Sequence, residues 1–150
     1  LAERFGMYYI DENGNKALPY IIHRTSLGCY ERTLAYLIEE YAGALPLWMM
    51  PTQVRVLPIT DRCHDYAEKV VERLSDAGIR VEGDYRSEKL GYKIRDAQMQ
   101  KIPYMLVVGD KEAESGSVAV RTRAGGDEGV MSVDDFMAKC LKEIAEKVKN

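Results

Sequence analysis

Residues 103–110, PYMLVVGD, form an unbroken apolar run of strand length that ends in Gly109 and Asp110. A continuous apolar run is typical of a strand in a parallel sheet, because helices cover both of its faces. Two further strand-length segments lie upstream, QVRVLPI at residues 53–59 and IRVEGDY at residues 79–85. Segments with helical spacing of apolar residues follow both, so the alternation predicts a domain of the α/β class.

Residues 51–150 continue this alternation to the end of the chain. Apolar spacing predicts one helix over residues 63–77, ended by Gly78, and another over residues 89–102, ended before Pro103. The predicted order of elements over the whole segment is β-α-β-α-β-β-α. We therefore expect a self-contained domain with a mostly parallel sheet.

The last third of the chain contains the antiparallel part of this pattern. VAVRTR at residues 118–123 alternates and predicts an antiparallel strand. DKEAESGS at residues 110–117 predicts a turn, and AGGDEG at residues 124–129 predicts a loop. Ser132 is a good N-cap for a closing helix, with two aspartates in the first turn.

Residues 1–50 show a different pattern. GMYYIDENGNKALPYIIH at residues 6–23 predicts a hairpin whose second strand ends near Leu27. A helix with an apolar stripe should follow Gly28 and end at Gly43. This β-β-α segment is too small to form its own core. We expect it to be the end of a larger antiparallel domain that lies mostly outside this sequence.

Composition limits the classes of function. Apolar residues make up 46% of the 150 residues and charged residues 30%, which is typical of a globular protein. The net charge of −3 argues against indiscriminate nucleic-acid binding but allows a local basic face. Three cysteines without a CxxC pair indicate reduced thiols and hence a cytoplasmic protein. Neither a signal peptide nor a membrane-spanning run is recognisable, so no membrane partner is expected.

The residues alone leave the chemistry open. The chain has neither GxGxxG nor GxxxxGK[ST], and His23 alone cannot make a metal site without ligands from outside this sequence. His23, at the end of an apolar strand, could be structural or a ligand, and the pattern favours the structural role. Arg32 opposes the macrodipole in the first turn of its helix, so it is either solvent-exposed or in contact with a phosphate or an adenine ring.

Residues 86–101 are locally basic, with five cations and two carboxylates, and tyrosines are interleaved with them. Cations and flat rings together suit single-stranded RNA, because they bind phosphates and unstacked bases. An ordinary solvated helix explains the same composition.

Two long segments resemble a known family. HRTSLGCYERTLAYLIEEYAGALPLWMMPTQVRVLPITD at residues 23–61 resembles the third signature motif of class II aminoacyl-tRNA synthetases, in particular the threonyl-tRNA synthetase family. GIRVEGDYRSEKLGYKIRDAQMQKIPYMLVVGDKEAESGSVAVRTR at residues 78–123 resembles the anticodon-binding domain of that family. The expected fold is a mostly parallel, mixed five-stranded α/β sheet with flanking helices at residues 51–150. Residues 1–50 would be the β-β-α remnant of an antiparallel class II catalytic domain.

The resemblance implies roles in the catalytic domain. Arg32 matches the motif arginine that holds ATP and takes part in catalysis, with Mg²⁺ bound to the ATP. His23 matches one of three protein ligands of a zinc ion that selects threonine through its hydroxyl group. The other two ligands should lie upstream. Cys29 stands where the family has a small residue such as serine, which leaves the geometry of the amino-acid pocket open.

The resemblance also implies tRNA contacts. Arg121 matches a residue that recognises an anticodon base, Glu112 and Lys101 lie at or near other contact positions, and Lys89 is a candidate phosphate contact. Ser87 stands where some relatives have asparagine.

These matches imply that the chain is part of a threonine–tRNA ligase whose partners are threonine tRNA, ATP and threonine. The complete enzyme would be a homodimer, and this piece alone would be inactive. Two alternatives remain, a non-catalytic synthetase-like paralogue that binds tRNA or regulates, and a free-standing α/β nucleotide-binding module.

Overall fold

The computed structural model describes residues 1–25, 28–124 and 126–149 of the chain. Contacts divide the chain into two units, Leu1–Ala35 and Tyr36–Asn150. In chain order the elements are β1 (Tyr9–Ile10), β2 (Lys16–Ala17), α1 (Tyr30–Glu40), β3 (Val54–Pro58), α2 (His64–Asp76), β4 (Val81–Gly83), α3 (Leu90–Met99), β5 (Tyr104–Val108), α4 (Asp110–Ser115), β6 (Ser117–Thr122), β7 (Gly126–Ser132) and α5 (Val133–Glu146). A 3₁₀ turn at Asp61–Cys63 precedes α2.

Five strands of the larger unit form one mixed sheet in the order β4-β3-β5-β6-β7. β3 pairs in parallel with β4 and β5, whereas β6 pairs antiparallel with β5 and β7. The predicted mixed five-stranded α/β sheet is therefore confirmed. The loop predicted over residues 124–129 is wrong, because β7 begins at Gly126 and pairs along the edge of β6.

The two faces of the sheet have separate cores. Along β5, Tyr104, Leu106 and Val108 belong to one hydrophobic cluster, and Met105 and Val107 belong to the other. Helices α2 and α5 contribute to the first cluster and α3 to the second. This burial on both faces is the physical reason for the unbroken apolar run in the sequence.

Helix ends agree with the predicted caps in most places. The Ser132 hydroxyl accepts the N–H of Asp135 at 3.1 Å at the start of α5, as predicted. Gly78 follows α2 at φ +83, a left-handed conformation that glycine adopts without strain.

The turn predicted over residues 110–117 is wrong, because six of these residues form α4.

The segment between α1 and β3 is tied to the rest of the larger unit by hydrogen bonds. Arg80 donates through Nη2 to the carbonyls of Trp48 at 3.0 Å and Met50 at 2.9 Å. Gln53 donates through Nε2 to the carbonyl of Leu47 at 2.9 Å, and Leu47 is buried. The domain boundary at residue 50 stays a prediction about the longer protein.

The smaller unit contains the predicted hairpin. Strands β1 and β2 pair antiparallel around a turn in which Asp11 Oδ1 accepts the N–H of Asn13 at 2.9 Å and of Asn15 at 2.8 Å. Helix α1 begins in this unit and ends in the larger one, where Gly43, at φ +74, donates its N–H to the carbonyl of Ile38 at 2.9 Å. The glycine stop predicted for this helix is confirmed.

The second strand of this hairpin is shorter than predicted. It ends at Ala17, and residues 18–25, all of which are described, form no strand. Pro19 removes a backbone donor there, which weakens pairing. The predicted strand end near Leu27 lies outside the described residues.

Candidate nucleic-acid interface

The carboxyl ends of β3 and β4 enclose a crevice. β3 leads into α2 on one face of the sheet, whereas β4 leads into α3 on the other. Loops that leave neighbouring parallel strands in opposite directions open a space between them, and α/β proteins commonly bind ligands there. The cavity measures about 270 Å³, and its lining includes Pro58, Thr60, Asp61, His64, Ser87, Glu88, Lys89 and Lys93.

A charge network of Asp84, Arg86 and Asp96 fixes the loop that forms one wall of this crevice. The Asp84 carboxylate is 4% exposed and accepts from Arg86 Nε at 2.8 Å and Nη2 at 2.6 Å. The same guanidinium donates to Asp96 Oδ2, on α3, at 2.7 Å. Hydrogen bonds from Arg86 lower the pKa of Asp84 and of Asp96 below the ordinary value of a carboxyl group. The two carboxylates in turn raise the pKa of Arg86. The positive charge of Arg86 is therefore neutralised within the fold.

Lys93 is also held within the fold. It lies on the inward side of α3, is 3% exposed, and donates through Nζ to the carbonyls of Pro58 at 3.2 Å and Asp84 at 3.0 Å. Residues 86–101 allowed two interpretations, a basic RNA-binding surface or a solvated helix, and neither fits Lys93, because it is buried. Lys89, Arg95 and Lys101 are exposed and form no ion pair within the described ranges, whereas Arg86 is exposed but paired.

Replacing Asp84 by asparagine is expected to lower the free energy of unfolding by about 1–3 kcal/mol at about pH 7, because Arg86 and Lys93 lose a charged partner. Since the pKa of Asp84 is lower in the folded than in the unfolded protein, the ionised carboxylate stabilises the fold above about pH 4. That contribution is lost as the pH falls through the folded pKa.

Urea unfolding of both proteins at about pH 7 and about pH 2 measures this effect, and the difference between them should shrink in acid. Asp76→Asn, at an exposed position, is the matched control and should change the free energy of unfolding by less than about 0.5 kcal/mol. A difference that is equal at both pH values would contradict the assigned role.

Glu112 lies at the same end of the sheet. Its Oε2 accepts the N–H of Gly109 at 2.9 Å at the start of α4. A Cβ on Gly109 would lie 3.0 Å from the Ile59 side chain, so this turn is tightly packed against the loop that follows β3. Glu112 thus borders the carboxyl ends of β3 and β5.

Arg121 and Lys101 lie at the other end of the sheet. Arg121 is opposite Met105, near the amino end of β5, and its Nε is buried without a hydrogen-bond partner among the described residues. Lys101 has φ +61, and its carbonyl accepts from Arg123 Nη1 at 2.8 Å. Helix α3 separates Lys89 from Lys101, and its 10 residues span about 15 Å. The structure therefore brings the four predicted tRNA contacts together as two pairs.

The predicted catalytic residues lie in the smaller unit. His23 is exposed and outside any strand, and Arg32 is exposed in the first turn of α1. The Cys29 thiol donates to Glu31 Oε2 at 3.0 Å and lowers the pKa of Glu31. Within the described ranges, no group of three His, Cys, Asp or Glu side chains could hold a metal ion. None of the described helices is long and apolar enough to cross a membrane.

Residues 53–143 match the family described as anticodon binding domain. Because this match covers more than half of the chain, the chain belongs to the anticodon-binding domain family.

Its similar relatives are threonine–tRNA ligases. One from Clostridium perfringens is 60% identical over 147 residues, which are 98% of this chain and 23% of that protein. One from Symbiobacterium thermophilum is 57% identical over 144 residues, 96% of this chain and 22% of that protein. The chain spans about a quarter of the length of these curated relatives.

A solved structure similar to this chain comes from the same family as these relatives. The crystal structure of the RNA binding domain of threonyl-tRNA synthetase from Cryptosporidium parvum superposes with a TM-score of 0.74 and 34% identity. The superposition covers 94% of this chain and 36% of that one. The resemblance inferred from the sequence motifs is therefore confirmed at the level of family and fold.

Proposed function

We propose that the chain is the C-terminal part of a threonine–tRNA ligase, an enzyme that activates threonine with ATP and transfers it to its tRNA. The observation that carries this proposal is the 60% identity to such a ligase over 98% of the chain, which includes His23 and Arg32 as well as the anticodon-binding domain. Residues 51–150 recognise the anticodon, and residues 1–50 supply the third class II motif.

The geometry of the larger unit supports anticodon recognition. Arg121 is partly exposed, and its fork of N–H groups suits a base edge or a phosphate. Glu112 offers a carboxylate that can accept from the amino group of a base. Lys89 and Lys101 are exposed ammonium groups at the two ends of α3, spaced to contact a loop at two points.

The smaller unit supplies part of the catalytic site in this proposal. Arg32 stacks on adenine and neutralises phosphate charge beside Mg²⁺, and its exposure leaves the guanidinium accessible. His23 is one ligand of a zinc ion, which needs about four ligands, so this chain cannot complete the site by itself. We expect the isolated chain not to aminoacylate tRNA.

Exposed apolar side chains support the view that a larger catalytic domain covers the smaller unit. Tyr20 is 99% exposed and Ile22 is 82% exposed, and neighbouring Leu18 and Ile21 are exposed as well; a patch of exposed apolar residues is typical of an interaction surface. In the intact enzyme, which we propose to be a cytoplasmic homodimer, other parts of the catalytic domain would bury them.

Titration with RNA tests the proposal. The chain is expected to bind a stem-loop with a threonine anticodon more tightly than the same stem with a scrambled loop, because base contacts add to phosphate contacts. Binding should weaken with salt, since released counterions favour it at low ionic strength. Fluorescence anisotropy of labelled RNA measures both affinities, and equal values for the two loops would overturn the proposal.

A further inference from the structure

Lys93 is an unusual core residue. It sits on the same side of α3 as Leu90 and Ala97, which pack in the hydrophobic cluster beneath the helix, and only 3% of it is exposed. A buried ammonium group carries a large desolvation cost unless it is bonded and paired. An apolar side chain of similar length would fill the space without that cost.

The acceptors of Lys93 explain what the charge achieves. The Pro58 carbonyl ends β3, and the Asp84 carbonyl comes directly after β4. These are the two points at which the chain leaves the sheet toward opposite faces. One ammonium group on α3 therefore holds both sides of the crevice at a fixed separation.

The Asp84–Arg86–Asp96 network extends this anchorage along the loop. Arg86 is tied to Asp84 at the start of the loop and to Asp96 on α3. The backbone N–H of Arg86 also donates to Asp84 Oδ1 at 3.2 Å. Ser87 and Lys89, which line the crevice, follow directly, so their positions depend on these bonds.

We propose that Lys93 is a positioning residue for RNA recognition. Together with the Asp84 network, it holds the 84–89 loop in the geometry that distinguishes one anticodon from another, without touching the RNA. The inference rests on the proposed function and assigns different roles to three cations. Lys89 contacts RNA, whereas Lys93 and Arg86 fix the conformation of the loop that carries Lys89. Fixed supporting geometry of this kind determines the precision of a binding site.

The test compares the wild-type chain with Lys93→Met, which keeps the length and packing of the side chain but removes the charge. The probes are the stem-loop with a threonine anticodon and the scrambled stem-loop, titrated over a range of salt concentrations at a temperature where both proteins are folded. The ratio of the two affinities is expected to fall roughly five- to tenfold. The slope of log affinity against log salt should not change, because Lys93 itself touches no phosphate and the exposed Lys89 ammonium group stays within reach of one after a small shift of the loop.

Each other result overturns the inference. An unchanged ratio in a folded variant would leave Lys93 with a structural role only. Equal losses for both RNAs would mean a general effect on binding, and a salt slope reduced by about 0.7 would mean a direct phosphate contact. If the wild-type chain itself failed to discriminate, the proposed function would fail first, so the two failures are distinguishable.

A second pair of variants covers the case in which Lys93→Met does not fold. Arg86→Gln removes the outer half of the network at a partly exposed side chain, and it should lower the ratio in the same way. Arg86→Lys keeps the charge but cannot bind both carboxylates as arginine does. Relative to Arg86→Gln, it should recover more of the free energy of unfolding than of the affinity ratio between the two RNAs. Full discrimination in Arg86→Gln would contradict the inference.

Discussion

Phe136→Ala is expected to lower the free energy of unfolding by about 3–5 kcal/mol, because the truncation leaves a cavity that the neighbouring side chains cannot fill. Phe136 is 0% exposed and lies on α5, where it meets the Tyr104 ring edge-on, with the ring centroids 5.4 Å apart. Such an aromatic contact adds to the burial of the ring. A domain of this size is stable by only about 5–15 kcal/mol, so the loss is a large fraction of the total.

Urea unfolding followed by circular dichroism measures the change, with an unaltered denaturant slope as the sign that the fold is the same. Leu141→Ala, on the same helix at a position 39% exposed, is the matched control and should cost about 0.5 kcal/mol. If the two variants were equally stable, α5 would not be packed on the sheet as the structure has it.

The parts of the fold that the sequence predicts are those with a strong local signal. β5 is an unbroken apolar run, and α2, α3 and α5 show apolar periodicity between recognisable stops. β7 and α4 lack such signals. GDEGVMS has two glycines and two acidic residues, and it forms a strand because β6 offers an unpaired edge. α4 has six residues, too few to show a helical period.

The site divides in a similar way. Arg121 and Lys89 follow from the family resemblance, and the roles of Arg86 and Lys93 do not, because their partners meet them only in the folded chain. Asp96 is 10 residues from Arg86, and Pro58 is 35 residues from Lys93. One signal was available: Lys93 occupies the inward stripe of α3, three residues after Leu90 and four before Ala97. A lysine in an apolar stripe indicates a buried, bonded ammonium group.

Arg121→Ala is expected to weaken binding of the threonine anticodon stem-loop by a factor of roughly 5–150, the equivalent of about 1–3 kcal/mol for one lost base contact. Affinity for the scrambled stem-loop should fall much less. The reason lies in the partners of two arginines on the same face of the sheet. Arg55 donates to Glu82 at 2.6 Å, whereas Arg121 Nε is buried without a partner among the described residues. The rest of the Arg121 side chain is partly exposed and can reach an RNA acceptor, so its truncation should affect binding more than folding.

Two comparisons separate this role from the loss of a charge. Arg73→Ala removes the same charge from α2, on the opposite face, where Arg73 pairs with exposed Asp134, and it should lower the affinity for both RNAs slightly and equally. Urea unfolding of Arg121→Ala should show a free energy of unfolding equal to or above that of the wild type. Anisotropy titrations with both stem-loops give the ratio of affinities for each protein. If that ratio survived in Arg121→Ala, anticodon recognition would have to lie elsewhere, and the crevice bordered by Lys89 and Glu112 would be the remaining candidate.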